Sequence, residues 1–256
     1  MAAVLGTLTE YLDAYLRVRE IPDDPNAVNG LQVENVAGRV TRIVAAVDAS
    51  LQTIEAIRQD GEPVLLLVHH GLLWDGNVAL TGRRYRRVRA LFERGIALYA
   101  AHIPLDVHPE VGNNVLLAQA LELRSPEPFD LYRGIAIGVQ GILDPPVARE
   151  VLVERIDRLL ATRSRLLPGG PALCRRIGII SGGAGGRIGA AQSAGLDTYL
   201  TGEGTHHTYF DAMELGVNAI YAGHYATETL GVKALAEHLS TRFGVPWEFQ
   251  DHPTGL

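Results

Sequence analysis

The sequence predicts an α/β protein made of two similar lobes, each on a mainly parallel sheet. Three observations predict it. Short apolar runs alternate with stretches of helical periodicity along most of the chain, the pattern of βαβ units. The most apolar run, residues 64–68, contains only Val and Leu, as expected of a strand covered on both faces. A chemical pattern also occurs twice: Tyr99-Ala100-Ala101-His102 is followed by Asp106, and Tyr221-Ala222-Gly223-His224 is followed by Glu228. Similar text flanks both copies. Leu91-Phe92-Glu93-Arg94-Gly95-Ile96 precedes the first and Ala212-Met213-Glu214-Leu215-Gly216-Val217 the second, and an apolar helical stretch follows each.

Each element has its own signal. Residues 8–16 carry apolar side chains at helical spacing and read as a first helix. Pro22, Pro25 and Asn29-Gly30 mark a turn-rich loop. Residues 42–47 read as a buried strand, and Asp48 or Ser50 can cap a helix over 51–58. The 64–68 strand places His69 and His70 at its C-terminal end. A helix over 83–94 stops at Gly95, a strand follows at 96–100, and a further helix starts at Asn114. In the second half, residues 176–180 form a strand that enters the tight turn Ser181-Gly182-Gly183-Ala184-Gly185-Gly186. A helix over 189–194, a strand over 198–200, a helix over 209–215 ended by Gly216 and a strand over 217–222 complete the plan. Ser125-Pro126-Glu127-Pro128 and Asp144-Pro145-Pro146 read as connections, so the lobes are drawn as 1–128 and 129–256, with the C-terminal residues able to pack back on the first lobe. Ligands of such sheets sit at the carboxyl ends of the strands, which puts the expected site in the cleft between the lobes.

Composition narrows the function. The chain has 256 residues and a net charge of −6, which argues against a dedicated nucleic-acid binder. No apolar run approaches the length of a membrane span, the N-terminus lacks the basic and apolar regions of a signal peptide, and Cys174, being alone, forms no intrachain disulfide. These readings point to a cytoplasmic protein. Arg83, Arg84, Arg86, Arg87 and Arg89 form a basic cluster, which reads either as a solvated helix face or as a docking point for a phosphate-bearing substrate.

The histidines and carboxylates carry the chemistry. Adjacent residues on a straight strand point to opposite faces, but at a strand end the chain turns and His69 and His70 can serve two different metals. Ile103-Pro104-Leu105 makes the first His-x-x-x-carboxylate copy a loop rather than a helix. Imidazoles combined with carboxylates suit Zn, Fe, Mn or Ni and do not suit an all-oxygen calcium cage. Such a set fits two metals that share a carboxylate and keep positions open, which is a hydrolytic arrangement. His206-His207 either lines the site or caps a helix at the surface. His108, His238 and His252 read as surface residues. The 181–186 turn has the glycines of a phosphate cradle without the residues of a P-loop.

The chain resembles the dinuclear-metal-centre proteins known as GTP cyclohydrolase I type 2 homologues, the NIF-three-like family. The resemblance rests on Asn29-Gly30-Leu31-Gln32-Val33-Glu34, Val68-His69-His70-Gly71, His102-Ile103-Pro104-Leu105-Asp106, Gly112-Asn113-Asn114, Thr201-Gly202-Glu203 and Gly223-His224-Tyr225-Ala226-Thr227-Glu228, nearly end to end. It implies two divalent metals per chain on His69, His70, Asp106, His224 and Glu228. Glu228 would bridge, His70 and Asp106 would bind one metal, and His69 and His224 the other. His102 is then a neighbour that relays protons, and Glu203 a second proton carrier. The resemblance also implies a homohexamer and a small-molecule substrate. The family label means hydrolytic opening of the guanine imidazole ring of GTP at C8 with loss of formate. Two other readings stay open: another metal-dependent nucleotide hydrolase or phosphoesterase, and a non-catalytic metal-dependent regulatory or binding protein.

Overall fold

The computed structural model describes residues 2–256. The chain forms two compact units, Met1–Leu105 with Gly231–His252, and Asp106–Leu230 with Pro253–Leu256. The sequence reading places the boundary at 128/129; the chain crosses between the units at 105/106, within the one-turn helix Ile103–Asp106, and the 231–252 segment belongs to the first.

The first unit holds a five-stranded sheet in the order Trp247–Phe249, Arg42–Asp48, Val64–His70, Ile96–Ala100, Gly30–Val33. The first four strands are parallel, and Gly30–Val33 runs antiparallel at the edge. Both faces of the central strands are covered. Val44, Leu66 and Leu98 pack in a core with Ile54, Ile57 and Leu91 of the neighbouring segments. Their alternates Ile43, Leu65, Leu67 and Tyr99 are also fully buried, and the Tyr99 hydroxyl donates to Asp13 of the helix Leu5–Tyr15 at 2.8 Å. This two-sided burial is why the run over 64–68 contains no polar residue. Ser50 caps the helix Leu51–Ala56, accepting from the Thr53 N–H at 3.0 Å, and Gly95 ends Gly82–Arg94 in the left-handed conformation at φ 63°.

The second unit has a six-stranded sheet in the order Arg124–Tyr132, Ile135–Ala148, Leu173–Ile179, Thr198–Thr201, Asn218–Tyr221, Arg165–Pro168. Leu173–Ile179, Thr198–Thr201 and Asn218–Tyr221 are parallel, and the flanking strands are antiparallel. Each unit therefore contains three parallel strands in chain order with an antiparallel strand beside the third. In each, the third parallel strand runs into a one-turn helix, Ile103–Asp106 or His224–Thr227. The internal repeat read from the sequence is thus a repeat of topology.

Three local readings are corrected. The Pro-containing segments at 125–128 and 144–146 are not connections but parts of the Arg124–Tyr132 and Ile135–Ala148 strands. Proline is tolerated there because Arg124–Tyr132 is an edge strand, and the register shifts between Arg124 and Glu127 and again opposite the second segment, between Cys174 and Arg176. The Ile103-Pro104-Leu105 stretch is a helical turn, not a loop. Pro104 sits in its first turn, where its missing N–H has no intrahelical partner to lose. The helix Arg149–Leu160, which buries Leu152 and Ile156 one turn apart, has no counterpart in the sequence reading.

Candidate metal centre

In the first unit three imidazoles converge. His69 and His70 are the last residues of the Val64–His70 strand, and His102 follows Ile96–Ala100, the next parallel strand. One ring nitrogen of each lies within 4.8 Å of those of the other two. His69 and His70 would diverge on a regular strand, yet their ring centroids are 4.8 Å apart because the chain turns at Gly71. Gln32 holds that turn. Its amide donates to the carbonyls of Ala27 and Val28, both at 3.0 Å, and its oxygen accepts from the Leu72 N–H at 2.8 Å. A side chain at Gly71 would collide with the Gln32 amide, so glycine is required there.

The ring orientations are set from behind. The Nδ1 of His69 donates to the Ala101 carbonyl at 2.8 Å, that of His70 to Asp48 Oδ1 at 2.9 Å, and that of His102 to Asp23 Oδ1 at 2.8 Å. Carbonyl and carboxylate oxygens accept only, so in each neutral ring Nδ1 carries the proton and Nε2 the lone pair. Asp23 also accepts from Asn29 Nδ2 and from the Ile103 N–H, both at 2.9 Å, while Asn29 Oδ1 accepts from the His102 N–H at 2.7 Å. Burial alone would raise the Asp23 pKa. The His102 hydrogen bond and charge, with the Asn29 and Asp24 donors, outweigh it and hold the carboxyl below its usual range. Trp74 packs edge-on against His102 at 4.8 Å and His70 at 6.0 Å.

In the second unit His224 opens its short helix and Glu228 follows that helix, so the two share a face. His224 Nε2 lies 3.2 Å from Glu228 Oε1, and its Nδ1 lies 2.8 Å from Glu203 Oε1. Burial pushes the His224 pKa down, but Glu228 and then Glu203 overcome it and raise it to about 9. The metal-free imidazole is therefore a cation held between two carboxylates at neutral pH. Glu228 is only 2% exposed. The Ser181-Gly182-Gly183 turn lies against this pair: Gly182 has φ +66°, and a Cβ there would strike Glu228 Oε1. The turn is not a phosphate cradle, because its polar backbone groups are committed. The Gly182 N–H donates to Thr227 Oγ1 at 3.0 Å, and the Gly182 carbonyl accepts from the Gly202 N–H at 2.8 Å and from Thr201 Oγ1 at 3.0 Å. Asp106 Oδ1 accepts from Asn113 Nδ2 at 2.8 Å and Ser181 Oγ at 2.9 Å, and Asn114 binds the Ser181 N–H through its oxygen at 2.8 Å.

The donor set suits a borderline divalent metal. Both units offer imidazole nitrogen beside carboxylate oxygen, and four imidazoles have Nδ1 anchored, as the outer partners of metal-bound histidines require. The close fit of Gly182 against Glu228 leaves the carboxylate where an added methyl would displace it.

The Duf34/NIF3 (NGG1p interacting factor 3) family model matches residues 4–254. The chain belongs to this family. A Duf34/NIF3 relative named GTP cyclohydrolase 1 type 2 homolog, from Deinococcus radiodurans, is 45% identical over 97% of this chain and 93% of the relative. A protein of the same name from Pyrococcus horikoshii is 43% identical over 97% of this chain and 98% of its own length. The solved structure of TTHA1606 from Thermus thermophilus superposes with a TM-score of 0.87 at 41% identity, covering 98% of this chain and 99% of that one.

Several residues of this Duf34/NIF3 chain depart from the sequence reading. Asp48, read as a helix cap, holds His70 instead. Asp23 and Ser181 went unread, although Asp23 lies in Pro22-Asp23-Asp24-Pro25, where an acid between prolines signals a fixed loop. Glu203 holds the His224 ring. Arg84 does not face a ligand: it is buried, bonded to Asp75 and to the carbonyls of Gly76 and Val78. Arg89 pairs with Glu93 at 2.7 Å. His108 is buried, not exposed, accepting two backbone N–H groups on Nδ1, and His238 stacks on Tyr15 at 4.3 Å. His207 caps the helix Thr208–Leu215, and His206 stands exposed beside Phe210. Among the described residues, no helix is long and apolar enough to cross a membrane.

Proposed function

We propose that His69, His70, Asp106, His224 and Glu228 hold two divalent metal ions, with Glu228 shared between them. We further propose that the protein is a metal-dependent hydrolase that opens the guanine imidazole ring of GTP at C8 and releases formate. The observation that carries this reading is the common anchoring of Nδ1 in His69, His70, His102 and His224, which turns Nε2 of each ring into the donor atom. Zn, Fe, Mn and Ni all suit these nitrogen and oxygen donors. When bound, such metals supply Lewis acidity and lower the pKa of coordinated water toward ~7. The relatives' name supports the choice of reaction.

The chain's own residues then have separate tasks. Asp48, the Ala101 carbonyl and Glu203 orient the rings of His70, His69 and His224. His102 differs from these three in its role: Asp23 keeps its Nδ1 protonated, so Nε2 can take a proton from water and return it to the opening ring. Glu203, fixed on His224, is a positioning residue first and a proton carrier second. The same reading carries a homohexamer in the cytoplasm, acting on a small-molecule purine nucleotide.

The experiment is incubation of metal-loaded protein with GTP, followed for formate and for phosphate. Formate release is expected. Phosphate without formate would replace the ring-opening reaction with phosphoester hydrolysis, and release of neither would replace the enzyme with a metal-dependent binding protein.

A further inference from the structure

A second cavity lies within the Asp106–Leu230 unit, outside every residue assigned above to metal or proton chemistry. It measures about 600 Å³ and is lined by Arg165, Gly204, Thr205, His206, Tyr209 and Tyr221, among others. Its volume is in the range of small-molecule sites. It opens at the carboxyl ends of the parallel strands Thr198–Thr201 and Asn218–Tyr221, where sheets of this kind bind ligands.

The lining is chemically uneven. Arg165 pairs in register with Tyr221 on the neighbouring antiparallel strand, which sets the guanidinium stem beside the phenol. Arg165 is exposed and makes no hydrogen bond or ion pair among the described residues, and no lining residue is acidic. An unmatched guanidinium at a cavity wall fits a carboxylate or phosphate. Opposite it the wall is aromatic. Tyr209 is 47% exposed and meets Phe210 edge-on at 5.5 Å, and His206 meets the same ring edge-on at 5.8 Å. A large aromatic side chain left half open is available for stacking.

The remaining polar group is oriented too. Thr208 Oγ1 donates to the Thr205 carbonyl at 2.6 Å, so the 2.5 Å contact between Thr208 and Tyr221 has the phenol as donor. The Tyr221 oxygen keeps lone pairs to accept a ligand N–H. Gly204 makes the wall: a Cβ there would run into the Tyr221 hydroxyl and ring.

We propose that this cavity binds a planar aromatic small molecule bearing an anionic group, of the size of a nucleoside monophosphate, with the ring on Tyr209 and the anion on Arg165. Every lining residue is outside the metal-ligand set, so the inference stands whether or not the centre is catalytic. Metal-loaded protein titrated calorimetrically with guanosine monophosphate, guanosine and inorganic phosphate tests it. The monophosphate should bind about tenfold tighter than guanosine and tighter than phosphate alone. Arg165→Gln should abolish the difference between nucleotide and nucleoside, and Tyr209→Leu should weaken both by about tenfold. Both side chains are exposed, so the fold should tolerate the changes, and metal content is measured on each variant. No binding by wild type, equal binding of nucleotide and nucleoside, or wild-type affinity in both variants would overturn the proposal. Loss of metal with nucleotide binding retained would instead count against the proposed centre.

Discussion

Truncating Asp23 to alanine should be among the most damaging single changes outside the hydrophobic core. The carboxylate is 6% exposed and accepts from the His102 ring, the Asn29 amide and the Ile103 N–H. Hydrogen bonds to a charged group contribute about 1.5–3 kcal/mol each, and an unmatched buried donor is costly. Truncation also relieves the cost of burying the carboxylate, so the net loss is about 3 kcal/mol, similar to breaking one side of a buried pair. For a chain of this size each kcal/mol moves Tm by about 2–4 °C, so a fall of about 6–12 °C is expected in calorimetry at pH 7. The pH dependence has a definite sign. Because the folded-state pKa is depressed, this part of the stability is complete above about pH 5. It is lost as pH falls below the unfolded value near ~3.9 and through the folded one. Wild type and variant should therefore converge in acid. A Tm shift under about 2 °C at pH 7, or a difference that widens as pH falls, would refute the reasoning.

Three further outcomes are expected. His102→Ala should keep its metals by elemental analysis and lose formate release, because its ring serves proton transfer; loss of the metals would make His102 a ligand on the same terms as His69 and His70. Gly182→Ala should cost about 1–2 kcal/mol for the left-handed backbone alone. It should also lower metal content with an unchanged circular dichroism spectrum, since the new methyl displaces Glu228; wild-type metal content would contradict this. Light scattering should give a mass about six times the 27.7 kDa chain, and a monomer mass at micromolar concentration would remove the hexamer.

The parts of this protein that follow one-dimensional rules were legible in its sequence. The 64–68 run, the stop at Gly95 and the repeated His-x-x-x-carboxylate each report a local constraint, and each falls on the element expected of it. What was missed depends on partners distant in the chain. Asp48 looked like a cap because Ser50 and the helix are its neighbours in sequence, whereas His70 is its neighbour across the sheet. Asp23 and Ser181 act on residues 79 and 75 positions away, a relation no periodicity carries. The strands around Pro126 and Pro145 were hidden because an edge position and shifts of register remove the cost that proline normally imposes on a strand. Arg84 shows the opposite error: five closely spaced arginines suggested one charged face, but one of them turns inward and ties down the loop before its helix.

The most direct test of the account is the metal content of wild-type protein and Glu228→Gln, reconstituted side by side with one divalent metal and measured by elemental analysis. A shared, nearly buried carboxylate contributes charge to both positions, and an amide of the same shape does not. Wild type should hold about two equivalents per chain and the variant well under one. Two equivalents in both proteins would contradict the bridge, and no stoichiometric metal in wild type would contradict the centre itself.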